Sequence, residues 1–416
     1  MKARAVLLYG KNDLRTETIE LPEIRDDELL CEVVTDTLCM STYKAMLQGG
    51  DHRCVPDDVA ENPIIAGHEF CGRILRVGAK WKDRFRTGEP FAVQPKMYID
   101  GQLKAPGYSY RYYGGDATKI IIPGEAIEGG YVLPYRSSAC YKASTAEPIS
   151  CLVAAIRAHF HLAEDRKTHV MGLKEGGSLA IVAGCGPMGL GAAQVAMALE
   201  PRPKRIVIAD IDESRVERAR KVLKDKNGVR VIVLNTANCD ARQALLDANG
   251  AKGYDDVIIM APVPAVIETA DAVAGEDSCL NFFAGPTKKE FFASVNFYDV
   301  HYNFKHIIGT SGGETIDMID ALKLIESGAI DPSILISHVG GLNAAAEATR
   351  TLPGLPGAKK LIYCNIDLPL TALDDFEALG KADPLFRALY EIVQKNNMLW
   401  CEEAERYLLE HGKPVQ

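Results

Sequence analysis

The sequence predicts an α/β protein in two parts, an all-β, barrel-like unit and a doubly wound parallel sheet. Three observations carry that reading. Residues 1 to about 135 hold short apolar strands punctuated by Gly and Pro. From Ser178 to about Gly309, apolar strands alternate with amphipathic helices. A glycine-rich turn joins the first strand of that second stretch to a helix.

The strands of the first part are AVLLY, ELLCEVVTDTL, FCGRILRVG, PFAVQP and ATKIIIP. The pattern changes at STAEPISCLVAAIRAHFHLA, whose apolar residues recur at helical spacing. His159 and His161 then stand at i and i+2 on one helix, facing apart, and read as structural. SLAIVAG, RIVIAD, VRVIVLN, DDVIIMA, CLNFFAG and HIIGT give six strands, with helices between most of them. A helix over Thr315 to Glu326, the strand ILISHVGG, a short helix and the strand KKLIYCN return to the first part. The expected domains are 1–150 for the β unit, 151–334 for the parallel sheet, and 335–416 for the return and a C-terminal tail. That tail, from Leu370, is polar and helical in pattern.

The composition excludes several classes. Of 416 residues, 47% are hydrophobic and 25% charged, as in an ordinary globular protein. The net charge of −9 is spread along the chain, which argues against nucleic acid or an anionic membrane as partner. No apolar run approaches the roughly 18 residues of a membrane span, and the apolar stretch in MKARAVLLYG stops too soon for a signal segment. Eleven cysteines without a CxxC pair suit reduced thiols and a cytoplasmic location.

The glycine turn lies in SLAIVAGCGPMGLGAAQ. Gly184, Gly186 and Gly189 form G-x-G-x-x-G, spaced for a tight turn, a close approach by pyrophosphate, and helix–strand packing. The helix starting at Pro187 and Met188 offers free N–H groups to phosphate. The next strand ends in Asp210, about 20 residues on, where a carboxylate accepts ribose hydroxyls and repels a 2′-phosphate. The bland alternative makes Asp210 a helix cap. The pattern predicts a dinucleotide site with NAD(H) favoured over NADP(H).

His68-Glu69, an imidazole beside a carboxylate, interrupts the apolar run NPIIAGHEFCGRI. With Cys39 and Glu147 they make a donor set suited to zinc with an open position. Spacings of 29 and 79 residues are too long for a local finger, and each residue also has an ordinary reading. Cys39 could be a buried thiol, and Glu147 a helix-start carboxylate.

Cys39 with Ser41 two places on, Gly67-His68-Glu69 and Ala146-Glu147-Pro148 together resemble the medium-chain, zinc-dependent alcohol and polyol dehydrogenases, over roughly residues 1 to 365. Within that family, DDVAENPIIAGHEFCG, YGGDAT, LNFFAGP and VNFYDVHYNFKHIIGTSGG are similar to the L-sorbose-1-phosphate reductases. The resemblance implies a GroES-like β-barrel catalytic domain beside the Rossmann sheet, and zinc held by Cys39, His68 and Glu147. Glu69 is implied either as a further ligand or as a group that enters when water or substrate exchanges. Ser41 is implied to pass a proton outward, and Ser311, in GTSGG, to lie near the nicotinamide ribose. A homo-oligomer, dimer or tetramer, is also implied.

Two departures stand out. QPKMYIDGQLKAPGYSYRYYGGDATKI lacks the four cysteines of the family's structural zinc lobe, so one zinc per chain is expected. Thr42 and Tyr43 replace the acidic residue that usually follows the Cys-x-Ser step, and Lys44 stands where a relay histidine often sits.

A sugar-phosphate substrate needs cations, and Lys44, His301 and Lys305 are the candidates, with Arg111 and Lys119 near the same stretches. Tyr108, Tyr110, Tyr112 and Tyr113 suit either a sugar pocket or packing under a loop. The function expected is hydride transfer between NAD(H) and a ketose or polyol, phosphorylated as in L-sorbose 1-phosphate. The alternatives are a dehydrogenase of a free polyol or amino alcohol such as threonine, and an inactive dinucleotide sensor.

Overall fold

A computed structural model describes residues 1–416, which form two compact units: Met1–Glu147 with Leu335–Gln416, and Pro148–Ile334. No helix is long and apolar enough to cross a membrane.

The first unit is built on two main sheets and a small hairpin of Met97–Ile99 with Gln102–Lys104. Asp13–Glu20, Lys2–Gly10 and Ile64–Ile65 form a three-stranded one. The larger runs Val132–Pro134, Pro90–Val93, Phe70–Val77, Leu29–Thr37, Lys359–Tyr363, Ile336–Gly341, Thr371–Ala372, with Lys119–Ile122 also on Leu29–Thr37. An isolated bridge, Ala5 to Ala117, links them. The expected barrel is corrected to this extent: no ladder closes the strands into a ring. Leu29–Thr37 pairs along one edge with Phe70–Val77, with two register shifts, and divides its other edge between Lys119–Ile122 at Leu29 to Glu32 and Lys359–Tyr363 at Thr35 to Thr37.

Lys359–Tyr363 lies antiparallel to Leu29–Thr37, with Leu361 opposite Thr37 and Tyr363 opposite Thr35. This late strand therefore runs beside residues from the start of the chain. The tail, whose composition is polar, is ordered as Phe376–Leu379, Pro384–Lys395 and Glu402–His411. Its apolar side chains, Phe376, Phe386, Leu389, Val393, Trp400 and Leu408, form one buried cluster with Tyr141, Leu361 and Tyr363. Amphipathic spacing, not overall polarity, decided its fate.

The second unit is a six-stranded parallel sheet. Counting strands from Ser178–Val182, the order is 3-2-1-4-5-6, with helices between most of them. Thr315–Glu326 is a helix with a capping box between Glu314 and Asp317.

One local expectation is overturned. The helix Ala146–Arg157 ends before His159, and Phe160–Leu162 is a strand paired with His169–Met171. In extended chain, i and i+2 point the same way, and both imidazoles meet one carboxylate. His159 Nδ1 lies 2.6 Å and His161 Nε2 3.1 Å from Asp256 Oδ1, all buried. Burial opposes charge on His159, yet Asp256 raises it to about 9. Burial also opposes charge on Asp256, yet the two histidines hold it at about 2.

Candidate metal and cofactor site

Gly67 explains how the His68-Glu69 pair is presented. Its φ is +86°, and a Cβ there would lie 2.0 Å from Asp36 Oδ2 and 2.6 Å from the Asp116 nitrogen. Only glycine fits, and the chain turns into Phe70–Val77 directly after Glu69. Asp36 Oδ1 accepts the N–H groups of Glu69 (3.0 Å) and Thr37 (2.9 Å), which fixes the Glu69 backbone.

Cys39 caps the helix Met40–Gln48, and its sulfur accepts from Ser41 N–H at 3.5 Å. The ligand atoms of Cys39, His68 and Glu69 all lie within 4.8 Å of one another. His68 Nδ1 stands 3.2 Å from Thr42 Oγ1 and 3.1 Å from Tyr108 OH. Those hydroxyls can accept the Nδ1 hydrogen, leaving the Nε2 lone pair for a metal. Burial pushes the Cys39 thiol up to about 12, and the Glu69 carboxylate adds to that push against Lys359. Thiol, imidazole and carboxylate gathered in this site fit a divalent zinc, which Cys39 would ligate as the thiolate.

Glu147 begins the helix Ala146–Arg157, half-buried, and acts electrostatically on Cys39, Tyr108 and Lys359. It lies near the three-residue group without belonging to it.

Lys359 was not legible as a site residue. Its ammonium sits 2.5 Å from Glu69 Oε1 and also contacts Oε2, both groups being buried. Burial pushes Glu69 up, but Lys359 and His68 outweigh it and hold the carboxylate below its usual range. A lysine opening the apolar strand KKLIYCN was the available signal, of the same kind as His68-Glu69. The Thr37 hydroxyl also donates to Glu69 Oε2 and lies 3.2 Å from the Ser144 carbonyl.

The remaining candidates divide. Ser41 is exposed, while Thr42 is the buried hydroxyl that meets His68. Lys44 is half-buried on the same helix. Tyr108 faces the site, Tyr113 packs edge-on against Phe70, and Tyr110 donates to Glu125 at 2.6 Å. In the second unit, His301 is exposed on Phe297–Tyr302. Lys305 does not suit the substrate role expected of it. It is buried, with Nζ 2.7 Å from Asp271 Oδ1, 3.0 Å from the Asp271 carbonyl and 3.4 Å from Asp299. Its charge is matched within the fold.

The glycine turn has the geometry of a phosphate cradle. A Cβ on Gly189 would meet the Gly184 carbonyl at 1.9 Å, and one on Gly184 would meet Ile181 at 2.6 Å. At Gly186 nothing lies within 4 Å, so that backbone is open to an incoming group. The helix Pro187–Ala198 has Pro at its start and no side-chain cap, which leaves its first N–H groups for an anion. Met188 belongs to its first turn. Asp210 ends Arg205–Asp210, and its Oδ2 accepts from Cys185 N–H at 3.0 Å. The cap of the following helix is Asp212, not Asp210. Ser311 lies exposed in the loop before Thr315–Glu326.

Such a sheet, with a phosphate-binding turn and a zinc-type donor set on the companion unit, defines a zinc-dependent dehydrogenase that uses a nicotinamide dinucleotide. The comparisons with known proteins agree. Residues 187–327 match the family described as "Zinc-binding dehydrogenase". The chain is 47% identical to mannitol-1-phosphate 5-dehydrogenase of Aliivibrio fischeri, over 98% of this chain and 97% of that one. It is 41% identical to L-sorbose 1-phosphate reductase of Klebsiella pneumoniae, over 99% and 98%. The structure of 2R,3R-butanediol dehydrogenase from Bacillus subtilis superposes with a TM-score of 0.71 at 20% identity, covering 87% of this chain and all of that one. The chain belongs to the zinc-dependent alcohol and polyol dehydrogenase family.

Proposed function

We propose that this protein transfers hydride between NAD(H) and the carbinol or carbonyl carbon of a hexitol or ketose phosphate. The observation that carries the reading is the Cys39–His68–Glu69 group within a chain so similar, over nearly its whole length, to two sugar-phosphate oxidoreductases. Cys39 and His68, with Glu147 or Glu69, would hold the zinc. Bound there, zinc supplies a Lewis acid for the substrate oxygen. Thr42 and Tyr108 keep His68 in the tautomer that ligates. Lys359 keeps Glu69 ionised. Asp210 would accept the adenosine ribose hydroxyls while its other contacts hold it at the glycine turn.

The test is a panel of nicotinamide oxidation and reduction assays. It sets mannitol 1-phosphate and L-sorbose 1-phosphate against sorbitol, fructose and threonine, with zinc measured on the same sample. A preference for the phosphorylated sugars supports the reading. The pairing of Lys305 with Asp271 removes one cation from the phosphate argument, so a preference for free polyols would move the unphosphorylated reading to first place.

A further inference from the structure

The C-terminal helices bring one carboxylate into the interior of the first unit. Glu405, on Glu402–His411, is buried, and it accepts Cys140 N–H at 2.7 Å through Oε1. Its Oε2 accepts Tyr141 N–H at 2.9 Å and Tyr363 OH at 3.0 Å. The Tyr363 hydroxyl is in turn held by Trp400 Nε1–H at 2.7 Å. All these partners are donors, which favours the ionised carboxylate with both oxygens accepting, against burial that pushes Glu405 up to about 7.

Both segments that Glu405 grips run to the metal centre. Cys140–Ser144 is a short helix whose last carbonyl meets the Thr37 hydroxyl, itself bonded to Glu69. Glu147 follows three residues later. Ala139, at the start of Cys140–Ser144, offers no side-chain cap, so the first amides of that helix depend on Glu405. Tyr363 ends the strand that Lys359 begins, and Lys359 pairs with Glu69.

We propose that Glu405 is a positioning residue for the metal centre, bracing Cys140–Glu147 and Lys359–Tyr363 so that Glu69 and Glu147 are held from two sides. This rests on the zinc site described above. Groups hydrogen-bonded directly to metal ligands commonly change metal affinity by about 10–100-fold. Glu405 stands behind such groups, reaching Glu69 through Thr37 and Lys359, so a smaller effect is expected.

The experiment uses the full-length zinc protein and Glu405→Gln, which sets an amide N–H against a backbone N–H. Zinc transfer to a chromophoric chelator should become about threefold faster, less than for a group bonded directly to a ligand. The visible spectrum of the cobalt-substituted protein should shift, while dinucleotide binding by the other unit stays unchanged. Wild-type release and an unshifted cobalt spectrum in Glu405→Gln would overturn the proposal. If that variant does not fold, Tyr363→Phe, which removes one bond from the brace, decides by the same readouts. A wild-type protein that binds no zinc would instead defeat the metal reading itself.

Discussion

Lys359 contacts both carboxylate oxygens of Glu69 across 290 positions of sequence, and both side chains are buried. A buried pair of this kind is costly to break from one side, because the remaining carboxylate has no water and keeps only the Thr37 hydroxyl in place of a counter-charge. Lys359→Met should lower stability by about 3–5 kcal/mol and cut the zinc content. Lys359→Arg should recover part of both. Denaturant unfolding with metal analysis checks this, and a Met variant as stable as the parent would refute the role given to the pair.

Cys39→Ala should abolish zinc binding and turnover yet leave dinucleotide binding intact, because the glycine turn belongs to the other unit. Metal analysis and NADH fluorescence separate the two effects. Retention of both zinc and rate would exclude Cys39 as a ligand.

Asp210 bears on cofactor choice. The wild type should prefer NAD(H), and Asp210→Gly should shrink that preference at least tenfold by removing the charge that repels a 2′-phosphate. The ratio of kcat/KM for the two cofactors reads it directly; a parent enzyme preferring NADPH would reverse the assignment.

The His159–Asp256 pair gives the second unit a pH signature. His159 is raised from 6.5 to about 9 by its partner, so its contribution is complete below 6.5 and is lost as pH rises through about 9. Asp256 is depressed from 3.8 to about 2, so its contribution is present above 3.8 and lost as pH falls through about 2. The Tm of this unit should therefore fall by roughly 5 °C or more between pH 6.5 and 9.5. His159→Gln should flatten that slope; a variant with the parental slope would assign it to other groups.

Lys44 remains the cation nearest in sequence to the zinc-ligand loop. Lys44→Met should raise KM for a phosphorylated ketose several-fold and leave that for an unphosphorylated one nearly unchanged. Equal effects on both would remove the case for a phosphate contact there.

Local signals served the sequence reading well. Thr315–Glu326 was legible from its periodicity, and the six strands of the parallel sheet from their apolar runs. Gly67, Gly184 and Gly189 stand where a close approach leaves no room for a side chain, a constraint the sequence shows as glycine. His159 and His161 misled because apolar residues continue past Arg157, where the period changes from helix to strand. Lys305 reads as a substrate-binding cation because no short-range pattern reveals Asp271, 34 positions away. Lys359 and Glu405 were hidden for the same reason on a larger scale. What makes each tolerable in the interior is a partner hundreds of residues distant, Glu69 for one and Cys140 and Tyr141 for the other.

Residues 148–334 interrupt the first unit in sequence, which has a consequence for biosynthesis. The second unit is contiguous and can fold while the chain is still being made. The Cys39 loop, made early, must wait until Lys359 and then Glu405 leave the ribosome. A nascent chain halted where Ile334 has left the ribosome but Lys359 has not should therefore carry a protease-resistant, dinucleotide-binding core and hold no zinc.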